Sequence, residues 1–190
     1  MKTNINLLVS FLVVLLLVSC KNSAEQEQTN TTTTEAVDNA NQGQAFIEDD
    51  EATPNCLQIA IGSPDHKTLV AAVQAAQVEN ALVNVGPLTV FAPTDEAFAA
   101  LPEGTVENLV KPENKEQLAD ILKYHVTPGN LNTGILTKLK KLGQANNQYV
   151  TVEVVDGKPV IGGANIIASV KAGNGIVHVI DKVLLPPAKE

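Results

Sequence analysis

Residues 88–101 read LTVFAPTDEAFAAL. Leu88, Val90 and Phe91 make a short apolar run of the kind that becomes a buried strand. Ala92-Pro93 ends it, and Thr94 is placed to cap a helix. Asp95 and Glu96 then fall in the first helical turn, where carboxylates favour the exposed backbone N–H groups. Ala97, Phe98 and Leu101 recur at helical spacing and give that helix its apolar side. A strand that turns into a helix within 14 residues needs packed partners on both flanks. The fold is therefore centred here, although no side chain in the stretch is an evident catalyst.

Outward from this centre, the preceding residues are helical and the following ones become strand-like. Ser63-Pro64-Asp65 is a helix entrance, and Leu69, Ala72, Val73 and Ala76 form one apolar stripe behind it. Gly86-Pro87 breaks the chain before the central strand. After Leu101, the corner at Pro102–Gly104 leads to a short helical pattern over 106–110, which Pro112 interrupts. Asn114 with Gln117 has the spacing of a capping box. Leu118, Ile121, Leu122 and His125 follow at i, i+3, i+4 and i+7, next to a helix end at Thr127-Pro128-Gly129. From Leu136 the pattern alternates. Residues 148–155 (QYVTVEVV) predict a strand, Asp156-Gly157 a tight hairpin turn, and 159–161 the returning strand. Residues 166–170 predict another strand, and 172–175 (AGNG) turn the chain into a last one over 176–185. Helices first and strands after make the class α+β.

The first 52 residues are different material. Residues 7–18 are apolar apart from Ser10, too short a run for the ~20 residues of a spanning helix but suited to a signal peptide. It ends in Leu17-Val18-Ser19-Cys20, which resembles a bacterial lipoprotein cleavage box. The resemblance implies a signal peptide over 1–19, cleavage before Cys20, and diacylglycerol and palmitate-type acyl chains at that cysteine. Acyl chains contribute ~0.8 kcal/mol per buried CH₂, so they would hold the protein on a membrane. Residues 21–52 contain the polar run QEQTNTTTTE and three large apolar residues, Val37, Phe46 and Ile47. Such a segment buries too little surface to offset its ordering entropy, which predicts a disordered tether over 20–52. Eight acidic residues against Lys21 give it −7, whereas eleven lysines against thirteen acidic residues from Thr53 onward give −2; with Lys2 these make the chain's −8. The low isoelectric point thus belongs to the tether. Stretched out, 32 residues reach ~110 Å, and as a flexible coil ~30 Å.

The remaining residues form one domain by size, 53–188. With Cys20 acylated, Cys56 has no disulfide partner, and beside Leu57, Ile59 and Ile61 it reads as a packed, inert thiol. Catalytic signals are sparse. The domain has two serines, Ser63 and Ser169, neither in a G-x-S-x-G context, and Ser169 alternates within a strand. His66, His125 and His178 lie 59 and 53 residues apart without ligand-pair spacing, so no metal is expected. His125 on the apolar stripe and His178 beside Ile176 and Ile180 read as buried structural histidines, and Tyr124 points off the stripe, toward the surface or a sheet edge. Gly173-Asn174-Gly175 precedes a strand rather than a helix and reads as a turn, not a phosphate loop. Asp95 and Glu96 at a helix N-terminus read as caps, not as an acid–base pair. Lysine accounts for all thirteen basic residues, and with no Trp and 3% aromatics nucleic acid is not an expected partner. These readings predict no enzyme and no cofactor.

Three ordered motifs resemble those of the fasciclin-like (FAS1) domain family. They are residues 90–98 (VFAPTDEAF), the Tyr-His segment Leu122-Lys123-Tyr124-His125-Val126, and the closing residues 173–184 (GNGIVHVIDKVL). The stretches 68–76 and 101–115 also match in kind and order, so the resemblance spans about 57–187. It implies a β-sandwich or wedge with helices packed on one side, and a role in adhesion. In the family the Tyr-His region is linked to cell adhesion, which makes Tyr124 and His125 candidates. An Asp-Ile pair before the closing motif is linked to integrin binding in animal members; here the place reads Asn165-Ile166, without the carboxylate. The expected protein is a lipid-anchored lipoprotein of the cell envelope, at the outer membrane or cell surface. Its domain would bind matrix, polysaccharide or another protein through Tyr124, His125, Asn165 and Ile166. The alternative is a small-ligand carrier or sensor with an apolar pocket between helices and sheet; a hydrolase would need a Ser or Asp within hydrogen-bond reach of a His.

Overall fold

The computed structural model describes residues 53–83 and 86–187. The expected signal peptide, Cys20 and tether lie outside the described residues.

Helix α1 (Cys56–Ile61) opens with a full capping box: Asn55 Oδ1 accepts from Gln58 N–H and Gln58 Oε1 from Asn55 N–H, both at 2.9 Å. Helices α2 (Lys67–Ala76) and α3 (Glu79–Val83) precede strand β1 (Leu88–Pro93). Then come α4 (Asp95–Ala99), α5 (Thr105–Leu109), a 3₁₀ turn at Pro112–Asn114, and α6 (Lys115–Tyr124). Strand β2 (Val126–Pro128) and helix α7 (Thr133–Leu136) lead into β3 (Lys141–Gly143), β4 (Tyr149–Val155), β5 (Lys158–Ile161), β6 (Ala164–Ala172) and β7 (Gly175–Ile180).

The expected stripe of α2 is buried at Leu69, Ala72, Val73 and Ala76, and Thr94 caps α4 through its hydroxyl to Ala97 N–H at 3.2 Å. Three expectations change in detail. The carboxylate of Asp95 caps a different helix from its own, since Oδ1 accepts from Thr68 N–H of α2 at 2.8 Å. Asn114 makes no cap bond; its amide donates to the Asn108 carbonyl at 2.7 Å instead. The proline of β1 does not stop the strand before it but forms its last residue, paired with Ile180.

The strands run in the order β2-β1-β7-β6-β5-β4-β3. β1 and β7 are parallel; every other pair is antiparallel. The parallel pair is tight at its start, where a Cβ on Gly175 would stand 1.9 Å from the Leu88 carbonyl oxygen. Only glycine fits there. The sheet curls until its edges nearly meet: Ala145 N–H, just past β3, donates to the Val126 carbonyl of β2 at 2.7 Å. Buried Gln144 reinforces that seam. In the amide orientation that satisfies its partners, its nitrogen donates to the Tyr124 and Val126 carbonyls at 3.0 and 3.1 Å, and its oxygen accepts from Thr127 Oγ1 at 3.0 Å.

The expected α+β domain is present, and the two layers of the sandwich are two halves of one nearly barrel-shaped sheet. Period-2 alternation then divides the core. Val90, Ala92 and Val177 face α1, α2 and α6, where Leu57, Leu69, Val73, Leu118 and Leu122 pack. Phe91 and Ile180 point the other way, into the curl, against Leu136, Leu142, Val150 and Ile161. β1 and β7 are therefore buried on both faces, which is why the motifs in them read as near-continuous apolar runs.

Candidate functional site

Tyr124 is the last residue of α6 and is buried, 5% exposed. Its hydroxyl donates to the Tyr149 carbonyl at 3.0 Å, and burial raises its pKa. Of the two places expected for Tyr124, the surface or a sheet edge, the surface is corrected: α6 ends against the inner core, and the ring turns into it. His125 caps α6 and is buried too. Its Nδ1 donates to the Ile121 carbonyl at 2.8 Å and its Nε2 accepts from Leu184 N–H at 2.9 Å. The partners assign the tautomer, since a carbonyl only accepts and an amide N–H only donates. Burial lowers the pKa from 6.5 to about 4, opposed in part by the Ile121 bond. Both side chains are thus almost wholly buried.

Asn165 and Ile166 begin β6 at the surface. Asn165 is exposed and clasped by Asp181: its N–H and Nδ2 donate to the two carboxylate oxygens at 2.8 and 2.7 Å. Asp181 N–H returns a bond to the Asn165 carbonyl at 3.2 Å. A carboxylate therefore stands beside Asn165 after all, supplied from the end of the closing motif. Ile166 is half-buried on the inner cluster, whereas Ile167 is 61% exposed. Both isoleucines border an open cleft of about 490 Å³. Its lining comes from Gly157, Lys158 and Pro159 of the β4–β5 hairpin, from Thr133 and Gly134 of α7 with Thr137 just after it, and from β6 over 166–169. The signal for Ile167 is present in the sequence, because two adjacent isoleucines in a strand must face opposite ways.

The space between helices and sheet where a carried ligand was expected measures about 30 Å³ and is lined by Leu57, Leu69, Val73, Leu122 and their neighbours. That is room for a water-sized group, far below the roughly 300 Å³ at which ligand sites begin.

Two histidines remain. His66 Nδ1 lies 2.7 Å from Ser63 Oγ, and its buried Nε2 has no partner among the described residues. His178 is wholly buried, stacked on Phe91 at 5.8 Å between ring centroids. Its Nε2 is 2.8 Å from the Leu131 carbonyl and its Nδ1 2.7 Å from Ser169 Oγ. Burial lowers its pKa, against the Leu131 bond. Among the described residues no three His, Cys, Asp or Glu side chains gather to hold a metal ion. Cys56 is buried as expected, its thiol pushed up to about 11 by burial and so held as the unreactive acid. No helix among the described residues is long and apolar enough to cross a membrane.

The fold is thus a helix-backed, nearly closed seven-stranded sheet with the three sequence motifs in and around its buried strands. The model of the fasciclin domain family matches residues 64–186, and the chain belongs to that family. Relatives include Protein sll1483 of Synechocystis sp., 48% identical over 132 residues that make up 69% of this chain and 73% of that protein. The uncharacterized protein sll1735 of the same organism is 42% identical, over 70% of this chain and 98% of its own length. The pig transforming growth factor-beta-induced protein ig-h3 is 38% identical over 78% of this chain, which spans 22% of that longer protein. A solved FAS1 domain pair from the insect cell adhesion molecule fasciclin I superposes with a TM-score of 0.62 at 21% identity, covering 70% of this chain and 51% of that one. That likeness concerns the fold.

Proposed function

We propose that this chain is a lipid-anchored envelope lipoprotein whose single fasciclin domain works as an adhesion module. Its contact surface is the β5–β6 side of the sheet, with Asn165, Ile166 and Ile167 meeting an extracellular protein or polysaccharide. The observation that carries the reading is Ile167, a large apolar side chain 61% exposed at the rim of an open cleft, next to the clasped Asn165. Membership in a family with a solved cell adhesion molecule supports it, and the 30 Å³ interior leaves a carried ligand little room. Anchoring through Cys20, with 20–52 as a leash, rests on the sequence pattern and puts the domain at the outer membrane or cell surface. No nucleic acid is a partner in this reading.

The test is attachment of the full chain to host envelope material, split into protein and polysaccharide fractions. Ile167→Asp should weaken attachment at least about tenfold while changing stability by no more than ~0.5 kcal/mol, the usual range for an exposed position. Unchanged attachment would remove the surface from consideration. Mass analysis of the mature N-terminus tests the anchor separately, by the presence or absence of lipid on Cys20.

A further inference from the structure

In the sequence the two serines of the domain read as chemically idle, because neither lies in a nucleophile motif. The fold brings Ser169 to His178 across the β6–β7 ladder, where they are direct register partners. The protonation pattern of the pair follows from its neighbours. His178 Nε2 faces the Leu131 carbonyl at 2.8 Å, an oxygen that can only accept, so Nε2 carries the proton. Nδ1 is then a bare lone pair, and Ser169 Oγ, 2.7 Å away, is the donor. The result is a hydroxyl bonded to a neutral imidazole whose orientation a third group holds, the arrangement of an activated nucleophile. Ser169 is exposed and forms part of the cleft of about 490 Å³, whose lining carries one charged side chain, Lys158. Ser63 with His66 provides a contrast, because there the distal nitrogen has no partner among the described residues to set the tautomer.

We propose that Ser169 is a nucleophile, with His178 as its general base, acting on short-chain carboxylic esters such as the O-acyl groups of a surface polymer. Ser169 Oγ attacks the ester carbonyl carbon as its proton passes to His178 Nδ1. The bond to the alcohol oxygen breaks, and the alcohol leaves with that proton. Water, deprotonated by the same Nδ1, then attacks the acyl-serine, releases the carboxylic acid, and the proton returns to Ser169. The sum is ester plus water giving acid plus alcohol. Lys158 lines the same cleft and is the residue that would bring positive charge to the oxyanion.

The experiment uses the full chain with two probes, a fluorophosphonate and 4-nitrophenyl acetate. A single phosphonyl adduct on the peptide containing Ser169 is expected, with none in Ser169→Ala. Nitrophenol release should fall at least about a hundredfold in that variant, the range a positioned base contributes. Ser63→Ala should retain both signals. His178→Ala removes a buried ring and risks the fold, so Ser169→Cys is the second variant; its new thiol, measured over Cys56→Ser, should alkylate with iodoacetamide faster than a free cysteine. An adduct elsewhere, ester release unchanged in Ser169→Ala, or an ordinary alkylation rate for the thiol of Ser169→Cys would each overturn the proposal. Both probes act without any adhesion partner, so their failure leaves the attachment reading standing.

Discussion

The imidazole of His125 joins the end of α6 to the C-terminal segment, its Nε2 accepting Leu184 N–H at 2.9 Å across 59 residues of chain. The other nitrogen is already committed to the Ile121 carbonyl. A proton arriving at Nε2 would turn that acceptor into a donor facing an N–H, in a site without solvent. Burial is what lowers the pKa of the ring to about 4, with the Ile121 bond opposing.

A pH dependence follows, with its sign. The folded pKa lies below the unfolded value, so the unfolded chain binds the extra proton between the two. The stability that neutral His125 supports is complete above 6.5 and is lost as the pH falls from there through about 4. That loss is on the order of 3 kcal/mol, and His178, shifted the same way by burial, adds to it. Urea denaturation from pH 7.5 to 4 should show a steady fall, and His125→Gln should flatten it. A stability unchanged between pH 6.5 and 4 would contradict the buried neutral ring.

Tyr124 gives the second prediction. The sequence pattern alone makes Tyr124→Ala a surface change with little effect on melting, but the ring is part of the inner core. Its removal should cost about 3–5 kcal/mol, the range for a buried aromatic. Tyr124→Phe keeps the ring and loses the bond to the Tyr149 carbonyl, which should cost about 1 kcal/mol. Thermal melts separate the two. A reduced attachment in Tyr124→Ala would then reflect unfolding, and Tyr124→Phe should attach normally.

What is legible in the sequence follows from element length. The stripe of α2, the hairpin at Asp156-Gly157, where both residues have positive φ, and the strands around it are long or chemically marked enough to read. The helices α1, α3 and α7 have only six, five and four residues; α4 and α5, equally short, are read with the help of Thr94 and the Pro102–Gly104 corner before them, and β2 and β3 have three residues each. Closure of the sheet depends on the latter two, so its barrel shape is hidden. At the site, helical spacing points correctly to a buried His125. Tyr124, one position earlier, misleads because the helix ends there and the curled sheet covers both sides of it. The Ser169–His178 pair is readable in principle. Counting outward from the turn at Gly173-Asn174 sets Ala172 opposite Gly175 and hence Ser169 opposite His178. What no count reveals is the Leu131 carbonyl that assigns the tautomer, because it comes from 47 residues away.

Gly175 tests the parallel pair. A methyl group there would collide with the backbone of Leu88 at 1.9 Å, and backbone in a paired strand cannot swing aside as a side-chain tip can. Gly175→Ala should cost more than about 3 kcal/mol, beyond ordinary overpacking, or prevent folding. Gly157→Ala, at a turn with open space around it, should cost about 1 kcal/mol through its positive φ alone. If the two variants melted together, the tight β1–β7 contact would not exist in solution.

Asp95 links two helices at their starts. Its carboxylate takes Thr68 N–H at 2.8 Å, and its own N–H donates to the Asp65 carbonyl at 2.8 Å, so α2 and α4 are held N-terminus to N-terminus. The Thr68 bond keeps the carboxyl below its usual 3.8, with burial opposing and His66 assisting. A depressed acid stabilises in full above its unfolded pKa and loses that contribution as the pH falls through the folded one. At pH 7, Asp95→Ala should therefore cost about 1 kcal/mol, typical of a lost cap. Asp95→Asn keeps an acceptor and should cost less, with a difference from wild type that shrinks as the pH drops below the usual carboxylate range. Denaturation of the three proteins at pH 7 and pH 3 decides the matter: a constant gap between wild type and Asp95→Asn would mean that the charge at this cap contributes nothing.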